Sequence, residues 1–239
     1  MNLIIDIGNT RTKYYLFEKN EIVQQYVFFN SEEKKIEKQL KKLSFTKVII
    51  STTSELPSFY NSINFIEVDN ETPLPLKIDY KTPKTLGSDR MGLAVGAKTL
   101  FPNKNCLIIG TGTCITIDFV DKKGCYQGGA ISPGLTMRLQ SLHTFTEKLP
   151  LVKQSSEKKE FSLIGKSTEE SIESGVFNGT FAEIEGIIAQ YKEIYKDLTV
   201  ILTGGDQEIF ESNLKSNIFT SSNLQAIGLN RILNYNAEK

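Results

Sequence analysis

Two apolar runs in this chain break at a short polar turn and then resume. The first, at 4–17, reads IIDIGNTRTKYYLF; the second, at 108–120, reads IIGTGTCITIDFV. Each has the pattern strand, Gly-Thr turn, strand, so the backbone leaving the turn runs back as β-structure rather than onward as a helix. Two unrelated hairpins would show the same local pattern. Each copy, however, is followed by further β-structure and then a helix, which reads as a duplicated domain. Successive N–H groups in such a turn cradle an anion, and glycine lets the backbone approach it without an intervening Cβ. Two such bends facing one cleft would hold a chain of phosphates. No GxxxxGK[ST] string follows a strand, and a dinucleotide fingerprint needs a helix after its turn, so a P-loop and a Rossmann site are set aside.

Hydrophobic patterning predicts strands at 2–7, 14–17, 22–28, 47–52, 65–68, 106–109, 113–120, 127–131 and 198–205. Helices are expected at 31–43, at 88–101 with Ser88 as cap, from Pro133 toward Glu147, and from a Thr168 cap to Tyr195 with a break near Gly179 or Gly186. Asp206 and Asn223 open the last two helices. Segment 52–86 carries Pro57, Pro73, Pro75 and Pro83 and reads as irregular, and 153–160 reads as a charged loop. The duplication suggests α/β halves at 1–104 and 105–239; a length of 239 residues permits two domains of ordinary size.

Charge narrows the partners. Lys plus Arg and Asp plus Glu number 28 each, so no broad basic field draws nucleic acid. Cys106, Cys114 and Cys125 form no C-x-x-C pair and read as reduced thiols in the cytoplasm. One histidine cannot build a His-rich metal site. No run of 18 apolar residues exists to span a membrane, and Leu3–Ile4–Ile5 enters Asp6 without the pattern of a secretory leader.

Asp6, at a strand end beside the first turn, suits Mg²⁺ bound through water, with phosphate oxygens completing the shell; an Asx-turn cap accounts for the same residue. Lys13, further along the hairpin, can reach a terminal phosphate or simply be solvated. Asp89 has two readings, a first-turn acid of the 88–101 helix or a base that takes a proton from an alcohol. Arg90 has the fork geometry for a carboxylate, and the Tyr80 hydroxyl can fix a substrate amide or carboxylate. His143, in SLHTFTEKLP, reads as packing or a cap, and the cysteines as small core fillers. Ile172, Val176, Ile184, Ile187 and Ile188 form an apolar stripe that buries against its own domain or a twin subunit.

Taken together, DIGNTRTK at 6–13, YKTPKTLGSDR at 80–90, GTGTCITID at 110–118, GGAISPGLTMRLQSLHTFTEKLP at 128–150, IGKSTEESIESGVFNG at 164–179 and LTGG at 202–205 resemble the type III pantothenate kinases. Their order and spacing carry the resemblance across nearly the whole chain. It implies a duplicated RNase H-like fold of the acetate and sugar kinase, heat-shock ATPase and actin superfamily, with mixed sheets flanked by helices. It implies transfer of phosphate from ATP to pantothenate, giving 4′-phosphopantothenate, the first step toward coenzyme A. Asp6, Ile7, Gly8, Asn9, Thr10, Arg11, Thr12 and Lys13 would form the ATP phosphate loop, and Thr113 a second ATP contact. Tyr80, Gly87, Ser88, Asp89, Arg90 and Thr168 would meet pantothenate, with Asp89 the general base. TGG at 203–205 would approach adenine or ribose by its backbone, and GGAISPG at 128–134 would be a turn in the cleft wall. Mg²⁺ would accompany ATP, and a homodimer would complete the pantothenate pocket. The family pattern holds K⁺ or NH₄⁺ with an Asp in the second loop; this chain has Gly110 there, so no residue is assigned to that cation. Rival readings are another small-molecule kinase of the superfamily, an accessory transcriptional regulator with a related nucleotide-binding fold, and an actin-like structural protein.

Overall fold

A computed structural model describes residues 1–154 and 160–237, which form two compact units. The first comprises Met1–Asn103, Lys123–Gln127 and Asn223–Lys239, the second Lys104–Lys122 and Gly128–Ser222.

The first unit starts with β1 (Asn2–Ile7), β2 (Arg11–Glu18), β3 (Glu21–Phe29), helix α1 (Glu33–Leu40), β4 (Lys47–Thr52) and the short β5 (Ile66–Glu67). Their order in the sheet is β3-β2-β1-β4-β5. β2 runs antiparallel to β1 and β3, while β1, β4 and β5 run parallel. Leu3, Ile5, Ile7, Val48 and Ile50 join Ile36 and Leu40 of α1 in one core cluster. At its centre the hydroxyls of Tyr14 and Tyr60 share a hydrogen bond of 2.8 Å, satisfying two polar atoms in a buried place. β6 (Lys77–Ile78) and α2 (Ser88–Leu100) follow.

β7 (Asn105–Thr111), β8 (Cys114–Val120), β9 (Cys125–Pro133), α3 (Leu135–Thr144), α4 (Thr168–Ile194), β10 (Leu198–Gly204), α5 (Gln207–Asn213) and β11 (Phe219–Thr220) come next. The order β9-β8-β7-β10-β11 repeats the first sheet strand for strand. Again the hairpin is antiparallel and the later strands are parallel to its first member. The repeat seen in the two glycine-threonine segments is therefore a repeat of topology. β6 lies beyond β9, pairing Lys77 with Cys125 and Ile78 with Tyr126 inside the first unit.

Several expected boundaries move. Pro133 ends β9 instead of starting a helix, so GGAISP is strand and α3 begins at Leu135. Gly87 precedes α2 as its cap residue, and Ser88 is the first helical residue. Ser167, not Thr168, caps α4: its hydroxyl accepts from Glu170 N–H at 3.2 Å. α4 runs unbroken past Gly179 and Gly186, and α1 stops at Leu40. The stripe of α4 is internal: Ile172, Val176, Ile184 and Ile188 are buried in the second core, with Ile187 packed against it. The polar loop expected at 153–160 lies at 155–159 outside the described residues.

The last helix, α6 (Leu224–Ala237), belongs to the first unit rather than to the half in which the sequence places it. It packs on α2 at backbone distance. A Cβ on Gly228 would collide with the carbonyl oxygen of Gly92, and one on Gly96 with the carbonyl oxygen of Leu224. Both collisions are with main chain, which cannot swing aside as a side chain can. Gly228→Ala is therefore expected to cost about 2 kcal/mol or more. Chemical denaturation would check this, and an unchanged midpoint would show that the helices can separate freely.

Candidate active site

The first turn is closed by a residue outside it. Gly8 N–H donates to the carbonyl of Arg11 at 3.0 Å, which makes the tight return between β1 and β2. Asn30, just after β3, then clamps the loop three times. Its side-chain amide donates to Gly8 O at 2.7 Å, its side-chain oxygen accepts from the Thr12 hydroxyl at 2.9 Å, and its own N–H donates to Thr10 O at 3.1 Å. Thr12 is buried by this clamp, and Ile7 points into the core while its carbonyl accepts from Thr53 N–H at 3.1 Å. Asn9, Thr10 and Arg11 are exposed, with the Arg11 guanidinium 5.3 Å over the Phe29 ring. The loop is thus a fixed backbone with an exposed polar rim.

Asp6 and Lys13 face each other across the β1–β2 register. The Asp6 carboxylate also accepts from the Gln225 side-chain amide at 2.9 Å. Burial pushes its pKa up to about 6; Lys13 and Gln225 pull it down, and the charge of Asp89 adds to the rise. The two acids singled out in the sequence therefore come within electrostatic reach, although β2 to β6 and α1 lie between them along the chain.

Asp89 lies in the first turn of α2. Its Oδ1 accepts from Arg90 N–H at 2.8 Å and lies where a Cβ on Gly87 would stand. The placement agrees with the reading of Asp89 as a first-turn acid of this helix. Ser88 is buried, its hydroxyl 2.9 Å from that of Ser51 and 3.2 Å from Thr52 O. Arg90 is only 6% exposed, so it is no surface arginine. Its guanidinium lies 5.9 Å from the ring centres of both Tyr80 and Tyr126, and those rings meet edge-on at 6.0 Å.

In the second unit, Thr113 stands exposed at the tip of the β7–β8 turn, where Gly112 N–H donates to Cys114 O at 3.1 Å. The hydroxyl of the preceding Thr111 donates to Thr203 O at 2.9 Å. Gly204 follows with φ +114°, and a Cβ there would collide with Thr111 O. This TGG bend is open to glycine alone. Gly110, inside β7 opposite Thr116 and beside Thr203, offers no side-chain oxygen. Thr168 is exposed at the start of α4, and with Ser167 as cap its hydroxyl is not needed there. His143 Nδ1 pairs with Leu149 O at 2.8 Å, tying the end of α3 to the next segment. Cys106 is buried, with its thiol 3.6 Å from Lys104 O, and Cys114 and Cys125 are half-buried.

Sequence reasoning missed Asn30, Ser51, Tyr126 and Gln225. Asn30, Ser51 and Gln225 fall in no glycine-rich string, and Tyr126 lies in GCYQGG at 124–129; an Asn at a strand end, a habitual turn stabiliser, gave the one local signal. Among the described residues no group of three His, Cys, Asp or Glu could cage a metal. A desolvated carboxylate beside a phosphate-type turn does fit Mg²⁺, which takes one or two carboxylates and completes its shell with phosphate and water.

Two halves of one topology, each with a glycine-threonine bend after its first strand, define a duplicated α/β fold of the actin and sugar-kinase type. Solved structures agree at the level of fold. A conserved Baf-family protein from Campylobacter jejuni superimposes with a TM-score of 0.67 at 18% identity, over 99% of this chain and 100% of that one. The activator of 2-hydroxyisocaproyl-CoA dehydratase from Clostridium difficile, with bound ADPNP, gives 0.56 at 14% identity over 99% and 95%. A family model for type III pantothenate kinase matches residues 2–190. Type III pantothenate kinases from Bacteroides fragilis and Christiangramia forsetii are 46% and 44% identical over 242 and 243 residues, 99% of this chain and 98% and 99% of theirs. The chain belongs to the type III pantothenate kinase family.

The raised pKa of Asp6 has a stability consequence with a definite sign. Between its ordinary value of 3.8 and about 6, the folded protein holds a proton that the unfolded chain releases, so folding stability falls as pH rises through that window. Above it the ionised carboxylate is carried at full cost. Asp6→Asn is thus expected to stabilise the nucleotide-free protein by about 1 kcal/mol more at pH 7.5 than at pH 5. Denaturation of both proteins at both pH values checks this; a difference independent of pH would contradict it.

Proposed function

We propose that this chain transfers the terminal phosphate of ATP to the primary hydroxyl of pantothenate, giving 4′-phosphopantothenate at the first step of coenzyme A synthesis. The observation that carries the reading is a desolvated Asp6 carboxylate beside an anion-type turn and within electrostatic reach of Asp89, in a member of this family. Phosphoryl transfer needs alignment and charge neutralisation more than covalent help. The backbone of residues 7–12 takes the phosphates, with Asn9, Thr10 and Arg11 at its rim and Lys13 toward the terminal phosphate. Thr113 supplies the second ATP contact, and the bend at Gly204 the approach to ribose or adenine. Asp6 would hold Mg²⁺ through water, and the ion, when bound, neutralises charge on the phosphates.

Asp89 accepts the proton that leaves the pantothenate hydroxyl as the new P–O bond forms. Gly87 and Ser88 meet pantothenate by main chain, because the Ser88 hydroxyl is engaged within the protein. Arg90, held against Tyr80, fixes the tyrosine hydroxyl for the substrate, and Thr168 adds a contact from α4. With Gly110 in place of the family's Asp, K⁺ or NH₄⁺ would rely on main-chain carbonyls, water and phosphate. Ile131, Phe145, Leu163 and Ile164 are 63, 85, 80 and 73% exposed on the second unit. We assign these exposed apolar side chains to contact with a second copy of the chain, since the α4 stripe is already spent on the core. The reading carries with it a cytoplasmic location, where pantothenate and ATP are both at hand.

Purified protein with Mg-ATP should release ADP when given pantothenate, but not acetate or hexoses, and should sediment as two chains. Asp89→Asn should lower turnover by about 100-fold or more while still binding ADP. Pantothenate binding without turnover in the natural protein would favour the regulator reading, and full turnover in Asp89→Asn would remove the base.

A further inference from the structure

α6 lies beyond residue 190, where the family match ends, yet it reaches the candidate site. Gln225, its second residue, puts one amide nitrogen 2.9 Å from Asp6 Oδ1 and 3.4 Å from Ser51 Oγ. That nitrogen carries two N–H donors, so both bonds form at once. The Ser51 hydroxyl is 2.9 Å from that of Ser88, and the Ser88 hydroxyl is 3.2 Å from Thr52 O. One assignment of protons satisfies the whole line: Gln225 donates to Ser51, Ser51 to Ser88, and Ser88 to the Thr52 carbonyl. Ser51 and Ser88 are buried, so water does not compete for these bonds. Ser88 is followed directly by Asp89. The Gln225 stem passes close over Gly92 of α2, where a Cβ would stand 3.2 Å from its Cγ.

We propose that Gln225 is a positioning residue that orients the Asp6 carboxylate toward the metal-nucleotide and ties it, through Ser51 and Ser88, to the turn of α2 that carries Asp89. The inference rests on the reading of Asp6 as the residue that meets Mg²⁺. Fixing Oδ1 with an uncharged donor sets the direction of the carboxylate without neutralising it, which a lysine or arginine at 225 would do. The C-terminal helix is then part of the active site, and the lattice of α2, α6 and β1 holds both acids in one register.

Gln225→Met keeps the length of the side chain and removes both donors. Gln225→Asn keeps the amide but withdraws it by one methylene. ADP affinity measured by calorimetry with and without Mg²⁺ reads the effect without turnover. Both variants should bind ADP alone as the natural protein does, and lose about tenfold of the tightening that Mg²⁺ brings. In kinetics, the KM for Mg-ATP should rise and kcat should fall, while the KM for pantothenate holds. Asp6→Asn, run alongside, separates the two levels. If Asp6→Asn loses the tightening but both Gln225 variants keep it, the positioning role is overturned. If Asp6→Asn itself keeps it, the reading of Asp6 falls and the role of Gln225 with it. A fold-wide role for Gln225 would instead weaken ADP binding equally with and without Mg²⁺, and that outcome also overturns the proposal.

Discussion

A single carboxylate placed where water is scarce organises the first unit. Asp6 interrupts the apolar run of β1 one residue before its end, and the β1–β2 register sets it opposite Lys13. Cross-strand opposition alone does not satisfy it. The Gln225 amide from the far end of the chain supplies the missing donor, and the nearby charge of Asp89 keeps the site under electrostatic tension. Such tension has no value for folding. A buried carboxylate of this kind is stabilised by a cation beside it, which is what the proposed metal-nucleotide would bring to Asp6.

That arrangement explains a feature of the chain's layout. The C-terminal helix has to return to the first unit, because only there can Gln225 meet Asp6. Its close approach to α2 is made by glycines rather than by interlocking side chains, and Gly92 both accepts the approach of Gly228 and leaves room for the Gln225 stem. Stability and site geometry therefore depend on the same three or four positions. The second unit is built on the same plan, but its bend carries glycine and threonine with no acid at Gly110. The duplicated fold has kept the phosphate-type turn twice and the strand-end carboxylate once.

Much of the fold was legible in the sequence, because its strands are short apolar runs bounded by polar turns. β1 and β4 match their expected limits, and the repeated hairpin pointed to the duplication that the two sheets show, though not to their strand order. Helix ends were harder, since capping is decided by one side chain among several candidates. Ser167 and Thr168 are equally good caps on paper, and only the path of the chain into α4 selects Ser167. Pro133 read as a helix start because it suits that position, but the end of an edge-side strand suits it as well. In the site, Asp6 and Asp89 announced themselves by their place in glycine-containing strings. Asn30, Ser51 and Gln225 did not, because their importance lies in long-range hydrogen bonds that no local pattern encodes.

The most direct measurement is the titration of the Asp6 carboxyl by carbon NMR in the nucleotide-free protein, with Asp6→Asn to identify the signal. A midpoint near pH 6 is expected, as burial and Asp89 outweigh Lys13 and Gln225. A midpoint at or below the ordinary 3.8 would mean that the carboxylate is solvated or fully paired, and the account of Asp6 as a desolvated, cation-seeking carboxylate would fail.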